Sequence, residues 1–252
     1  MGTAAPQDST RLADLTWLDA QRVSSRVLIV PLGATEQHGP HLPLSTDTDI
    51  AVALAVRAAA GREDVVVAPA VPYGASGEHA GFAGTLSIGQ QALELLVVEL
   101  VRSATGTFGR VLLLSGHGGN AEPLARALRL LSSEGRDVRV WSPRWRGDAH
   151  AGRTETSVQL ALSPSRVRSD LATAGATAPL SELLEELRRT GVRGVSANGV
   201  LGDPLGADAD EGEHLLATAT ADLTALLDAW PAGPASRWSP VPLAASAPPP
   251  SP

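Results

Sequence analysis

Four short apolar runs recur along the chain and limit its fold more than any other feature. "RVLIVPL" (26–32), "DVVVAPA" (64–70), "GRVLLLSG" (109–116) and "DVRVWSP" (137–143) are continuous in hydrophobicity rather than alternating, as expected of strands buried on both faces. Helix-length segments separate them at 48–60, 89–105 and 120–134. The second of these, "QQALELLVVELVRSA", carries Leu and Val at helical spacing. Strand–helix–strand alternation predicts an α/β chain with a mostly parallel central sheet and helices on both faces. Further helices are predicted in "TETSVQLAL" (154–162), "TAPLSELLEELRRTG" (177–191) and "DEGEHLLATATADLTALLDAW" (210–230). No repeat or linker divides 11–230, which reads as one domain. Residues 1–10 are expected to be a flexible start, and the Pro-, Ala- and Ser-rich tail at 231–252 is expected to be disordered.

In parallel sheets of this kind, ligands bind beyond the carboxyl ends of the strands. The polar motifs of this chain fall there. "GATEQHGPHLPLSTDTD" follows the first run and holds Glu36, His38, His41, Asp47 and Asp49. Glu36 and His38 share one side of an extended segment, and Asp47 returns just before the predicted helix. Carboxylate and imidazole donors together suit Zn, Mn or Fe(II), although a hydrogen-bonded loop pair is also compatible with this spacing. "SGHGGN" places His117 after the most apolar strand, among glycines that let backbone approach a ligand, with Asn120 as a helix N-cap. An anion cradle at the helix N-terminus is the alternative reading, but no lysine accompanies it. Glu155 opens a helix, with Thr154 as a candidate cap; a first-turn glutamate also serves the helix dipole. "YGASGEHAGFAGTLSIG" (73–89) adds Glu78 and His79, which point opposite ways if that segment is extended. His41 and Asp49 have no evident partner and read as supporting loop residues. Five of the six histidines lie in strand-end loops, paired with carboxylates; only His214 falls on a predicted helix.

Composition removes other chemistries. There is no cysteine, so thiolate nucleophiles, zinc–thiolate sites and disulfides are excluded. All 20 basic residues are arginine, which excludes a Schiff-base lysine and a phosphate-loop lysine. A net charge of −7 argues against nucleic acid as a partner. No G-x-S-x-G segment supports a serine hydrolase. Neither a secretion signal nor a run of about 18 apolar residues is present, so the expectation is a soluble, cytoplasmic protein with no membrane partner.

Taken together, "GATEQHGPHLPLSTDTD", "YGASGEHAGFAGTLS", "SGHGGN", "HAGRTETS" and "GVLGDPLGADADEG" (199–212) resemble the creatininase family of metal-dependent amidohydrolases, in order over roughly 10–230. The resemblance implies a three-layer α/β/α fold, two divalent metal ions per subunit and a homo-oligomer, a hexamer or larger ring. By motif, Glu36, Asp47 and His117 would hold one metal. His38, Asp47 and Glu155 would hold the other, with Asp47 bridging. Creatininases proper carry a glutamate ligand two residues after the histidine of the "GH" motif. Here Gly119 stands in its place, so that role falls to Glu155, and creatinine itself becomes doubtful as substrate.

"APAVPYGASGEHAGFAGTLSIG" and "VSANGVLGDP" look most like the subgroup acting in mycofactocin biosynthesis. Those are peptidases that release a C-terminal Val-Tyr-derived core from a modified precursor peptide. The expected metals are Fe(II) and Zn, with Mn as the alternative. Candidate groups for proton transfer to the leaving amine are His150 and Glu78, and candidate substrate contacts are Ser76, His79, Asn120, Trp141 and Trp145. The runner-up is a family amidohydrolase acting on a small cyclic amide or a formamide.

Overall fold

A computed structural model describes residues 10–145 and 147–230. The Pro-, Ala- and Ser-rich tail and all but the last residue of the expected flexible start lie outside the described residues. Thr10 is tied down, its carbonyl accepting the Val67 N–H at 2.7 Å. Four strands, β1 (Val27–Leu32), β2 (Val65–Val67), β3 (Arg110–Ser115) and β4 (Val138–Trp141), form one parallel sheet in the order β2-β1-β3-β4. Leu32 lies opposite Ser115, so β1 and β3 end level with each other. The loops that follow them start side by side.

Side chains of successive strand residues leave opposite faces of a sheet, and each face has its own core. Val27, Ile29, Val65, Val67, Leu112 and Leu114 pack with α2 (Thr46–Ala59), α5 (Arg153–Leu162) and α7 (Ala209–Asp228). Leu28, Val30, Leu32, Val66, Val111 and Leu113 pack with α3 (Gln90–Ala104) and α4 (Ala121–Ser133). This is the three-layer α/β/α arrangement expected from the continuous apolar strands. Helix α6 (Leu180–Val195) stands apart from both layers. Val192 is its one buried residue, and its helical backbone is interrupted at Gly191. Among the described residues, no helix is long and apolar enough to cross a membrane.

Helices α5 and α7 cross in tight contact. A Cβ on Gly212 would lie 1.9 Å from the Ser157 carbonyl oxygen and 2.4 Å from its carbon. Neither helix can retreat without opening the core around Val158 and Leu216. Gly212→Ala is therefore expected to destabilise the fold by about 1–3 kcal/mol. Chemical denaturation would show this as a lower midpoint at unchanged slope.

Several local expectations are corrected. Strand β2 stops at Val67 rather than 70. The Ala68 N–H still donates to the Ile29 carbonyl at 2.8 Å, but the next bond to β1 comes from Val71, to the Pro31 carbonyl at 2.9 Å, so the ladder skips a residue there. The first helix after β1 begins at Thr46, so Asp47 sits inside its first turn rather than before it. Gly152, not Thr154, precedes α5. Asn120 does not cap α4 with its side chain, which instead braces the backbone of two other loops. A short helix, α1 (Trp17–Arg22), was not anticipated; Thr16 and Asp19 close a capping box at its start.

Candidate metal centre

The centre lies at the carboxyl edge of the sheet, where four segments meet. The loop after β1 carries Glu36 and His38, and the first turn of α2 brings in Asp47. The residue after Gly116 is His117, and Glu155 comes from the first turn of α5. Gly116 lets the first two segments close on the third: a Cβ there would lie 2.2 Å from the Asp47 carbonyl oxygen. The start of α2 thereby rests on the end of β3.

Two sets of side chains converge, each with ligand atoms within 4.8 Å of one another: Glu36, Asp47 and His117, and His38, Asp47 and Glu155. Asp47 belongs to both. Its Oδ1 lies 3.2 Å from His38 Nε2, and its Oδ2 lies 3.2 Å from His117 Nδ1. His117 Nε2 is 3.2 Å from Glu36 Oε2, and His38 Nε2 is 3.8 Å from Glu155 Oε2. Glu36, His38 and His150 form a third close group.

Carboxylates and imidazoles so crowded and buried shift one another's proton affinities. Burial pushes Glu36 up to about 8, and the charge on Asp47 adds to the effect. Burial opposes the charged form of His38, but Asp47 and Glu155 outweigh it and raise the ring to about 10. His117 is likewise raised to about 9, against the cost of burial, by Asp47 and Glu36. Asp47 is held well below the usual range: burial acts the other way, and the two histidines overcome it. Burial and the nearby Asp47 raise Glu155. Burial and the cationic His38 lower His79 to about 3 and His150 well below its ordinary value.

Both Glu36 oxygens and Asp47 Oδ2 are buried and have no hydrogen-bond partner. Such orphaned acceptors are costly unless a cation neutralises them. Mixed O and N donors that converge on orphaned carboxylate oxygens fit divalent metal ions, and the two sets sharing Asp47 fit a pair of them. A phosphate cradle does not suit this concentration of negative charge, so the anion-loop alternative for "SGHGGN" is set aside.

Above the centre opens a cavity of about 480 Å³, lined by Glu36, Asp47, His117, Glu155, Glu78, His79 and His150. Glu78 and His79 share it because Gly77–His79 is a 3-10 turn. In an extended strand they would have faced apart, as expected above. Glu78 Oε1 lies 3.7 Å from His117 Nε2. A Cβ on Gly119 would meet that same oxygen at 2.3 Å, so the Glu78 carboxylate fills the space a side chain at 119 would take.

Helix α6 also lines this cavity, through Leu180, Leu184, Leu187, Arg188 and Val192. None of these residues was singled out from the sequence, although the spacing of the leucines in "LSELLEEL" marks one helical face.

Of the five expected substrate contacts, only His79 lines this cavity. Ser76 and Asn120 are fully buried. Ser76 Oγ backs His117 Nε2 at 3.4 Å. Asn120 accepts the Ala75 N–H at 3.0 Å and donates to the Gly33 carbonyl at 3.1 Å. Trp141 and Trp145 pack against the core beside α2 and α7, and Trp145 lines a neighbouring cavity with Asp148 and Leu201. His41 and Asp49 do have partners. His41 Nε2 meets Thr156 Oγ1 at 2.8 Å, and Asp49 accepts from Arg166 at 2.8 Å and Gln159 at 3.3 Å. Both tie α2 and its preceding loop to α5 and the segment after it.

The sequence reading also passed over Gln37, whose amide lies within 3.0 Å of both His79 Nδ1 and His150 Nε2. Its position between Glu36 and His38 was the available signal.

Comparison with known proteins agrees with this geometry. The creatininase family, described as creatinine amidohydrolase, matches residues 13–227. A protein of Mycolicibacterium smegmatis named mycofactocin precursor peptide peptidase is 54% identical over 198 residues, 76% of this chain and 80% of that protein. One of the same name from Mycobacterium ulcerans is 50% identical over 82% of this chain and 86% of its own length. Among solved structures, a creatininase described as the Mn form superposes with a TM-score of 0.73 at 27% identity, covering 87% of this chain and 97% of its own. A mutant creatininase of Zn-Zn type gives 0.72 at 27% identity over the same shares.

Proposed function

This chain belongs to the creatininase family, and from that premise we propose that it is a metal-dependent peptidase acting on the modified mycofactocin precursor peptide, releasing its C-terminal Val-Tyr-derived core. The observation that carries the reading is the cavity itself. It is lined both by Glu36, Asp47, His117 and Glu155 of the metal-capable sets and by leucines of α6. A small cyclic amide needs the metal-capable sets; a peptide also needs a surface on which side chains can pack.

Glu36, Asp47 and His117 would hold one divalent ion, and His38, Asp47 and Glu155 the second, with Asp47 between them. Fe(II) and Zn are the proposed metals and Mn the alternative, since these donors accept all three. Bound there, the ions supply Lewis acidity and lower the pKa of water.

The chain's own residues do the rest. The carboxylates are held in line by the buried histidines beside them. Leucines of α6 exclude water from one side of the peptide and orient it across the metal-capable sets. Glu78 and His150 both line the cavity and are the proposed proton-transfer groups, His150 by first taking up a proton and then passing it to the departing amine. Residues 11–230 are proposed to form this hydrolase domain. It works as a homo-oligomeric ring, hexameric or larger, in the cytoplasm.

The test is to incubate the metal-loaded protein with modified precursor peptide and read the products by mass spectrometry. Release of the C-terminal core, lost on chelation, is the expected result. Turnover of a cyclic amide or formamide with the precursor left intact would move the substrate to that smaller class.

A further inference from the structure

Gln37 occupies a seat that admits only one orientation of its amide. The Gly39 N–H donates to Gln37 Oε1 at 2.9 Å. On the other side Gly199 approaches so closely that a Cβ there would lie 1.9 Å from the same oxygen. With Oε1 committed to Gly39, Nε2 is turned toward three neighbours: His79 Nδ1 at 2.8 Å, His150 Nε2 at 3.0 Å and the Gly199 carbonyl at 3.0 Å. An amide nitrogen has only two hydrogens to give.

The contact that decides between the three is made by the backbone. His150 Nε2 also lies 2.9 Å from the Gln37 carbonyl oxygen, which can only accept. A hydrogen on His150 Nε2 serves that carbonyl, and the two amide hydrogens serve His79 Nδ1 and the Gly199 carbonyl. Every acceptor then has one donor. Placing the lone pair on His150 Nε2 instead turns it against the Gln37 carbonyl and leaves one of the other acceptors bare, a costly outcome for buried groups.

We infer that Gln37 is a positioning residue that fixes the hydrogens of His79 and His150, so that one ring presents an N–H to the metal centre and the other a lone pair. His79 must have a bare Nδ1 to accept from Gln37, so its hydrogen sits on Nε2, facing Glu36 Oε1 at 3.3 Å. There it turns a positive N–H toward a ligand carboxylate without closing a hydrogen bond to it. His150 carries its hydrogen on Nε2 as well, but its bare Nδ1 is the atom turned inward, 4.0 Å from Glu36 Oε1. Both rings take the same tautomer and show the site opposite faces. The catalytic meaning of this arrangement rests on the hydrolase reading above; the hydrogen positions do not.

Imidazole 15N NMR on the full-length, Zn-loaded protein tests it directly. Hydrogen on Nε2 of both His79 and His150 is expected, and hydrogen on Nδ1 of either ring overturns the inference. This holds whether or not the precursor peptide is hydrolysed, so failure of the substrate reading would be seen separately.

Gln37→Glu supplies the second measurement, because a carboxylate can only accept and must draw the His79 hydrogen to Nδ1. The expected variant keeps its metal and its KM, shows the shifted His79 signal, and loses about 100-fold or more in kcat. A variant with lowered melting temperature but unchanged His79 signal and kcat would reduce Gln37 to packing and overturn the inference. Should the variant not fold, the wild-type hydrogen positions decide alone.

Discussion

Asp47→Asn is expected to lower kcat/KM on the precursor peptide by about a thousandfold or more, the several kcal/mol that metal assistance contributes to such a reaction. Asp47 is the one residue common to the two ligand sets, and each of its oxygens faces a different histidine. Asparagine keeps the volume and the first turn of α2, but it replaces one oxygen by a donor and removes the charge. It can no longer serve cations on both sides. Metal analysis should therefore show both ions depleted, with the circular dichroism of the fold retained. Glu155→Gln is the contrast, since it touches one set and should deplete one ion. A metal-replete Asp47→Asn protein turning over at the wild-type rate would remove Asp47 from the centre of the reaction.

Stripping the metals should have the next largest effect, and its size should depend on pH. An ion at about a thousand times its Kd adds about 4 kcal/mol to stability. For a chain of this length each kcal/mol is about 2–4 °C of melting temperature, so losing two ions should cost at least about 15 °C.

Without metal, Glu36 is raised to about 8, His117 to about 9 and His38 to about 10. In each case the folded protein binds a proton more tightly than the unfolded chain, so the stability these groups lend is lost as pH rises through those values. Metal-bound ligands are already deprotonated and add no such slope. The gap in melting temperature between loaded and stripped protein should therefore widen from pH 7 to pH 9. Loading the stripped protein at pH 7 should also release protons into a weakly buffered solution. A gap that narrowed with pH would mean that these groups do not hold the extra protons.

The sheet and its layers were legible because the strands are continuous in hydrophobicity and each is followed by a helix with a clear apolar face. Five side chains of the centre were legible because the chain has only six histidines and the motifs around them and their neighbouring carboxylates are long enough to carry the family resemblance. What escaped has specific causes. Helix α1 buries none of its residues and leaves Trp17 71% exposed, so no apolar face announces it.

Ser76 and Asn120 were expected to contact substrate. In the fold they satisfy backbone groups and a histidine instead. Trp141 and Trp145 pack against the core instead of lining the main cavity. Gln37 is an ordinary polar residue at a position that an extended strand would turn away, and its role depends on His79 and His150, which arrive 42 and 113 residues later.

Helix α6 joins the centre through few attachments: Val192 is buried, Arg193 donates to the Gly81 carbonyl and lies over the Phe82 ring, and the chain bends at Gly191. No metal-capable side chain in the ligand sets comes from it. On the proposed reading, selectivity and reactivity are carried by separable parts of the chain. Residues 180–188 can be rewritten to admit a different guest while the carboxylate and imidazole sets keep the same chemistry, which makes this short stretch the natural place to retune the enzyme by design.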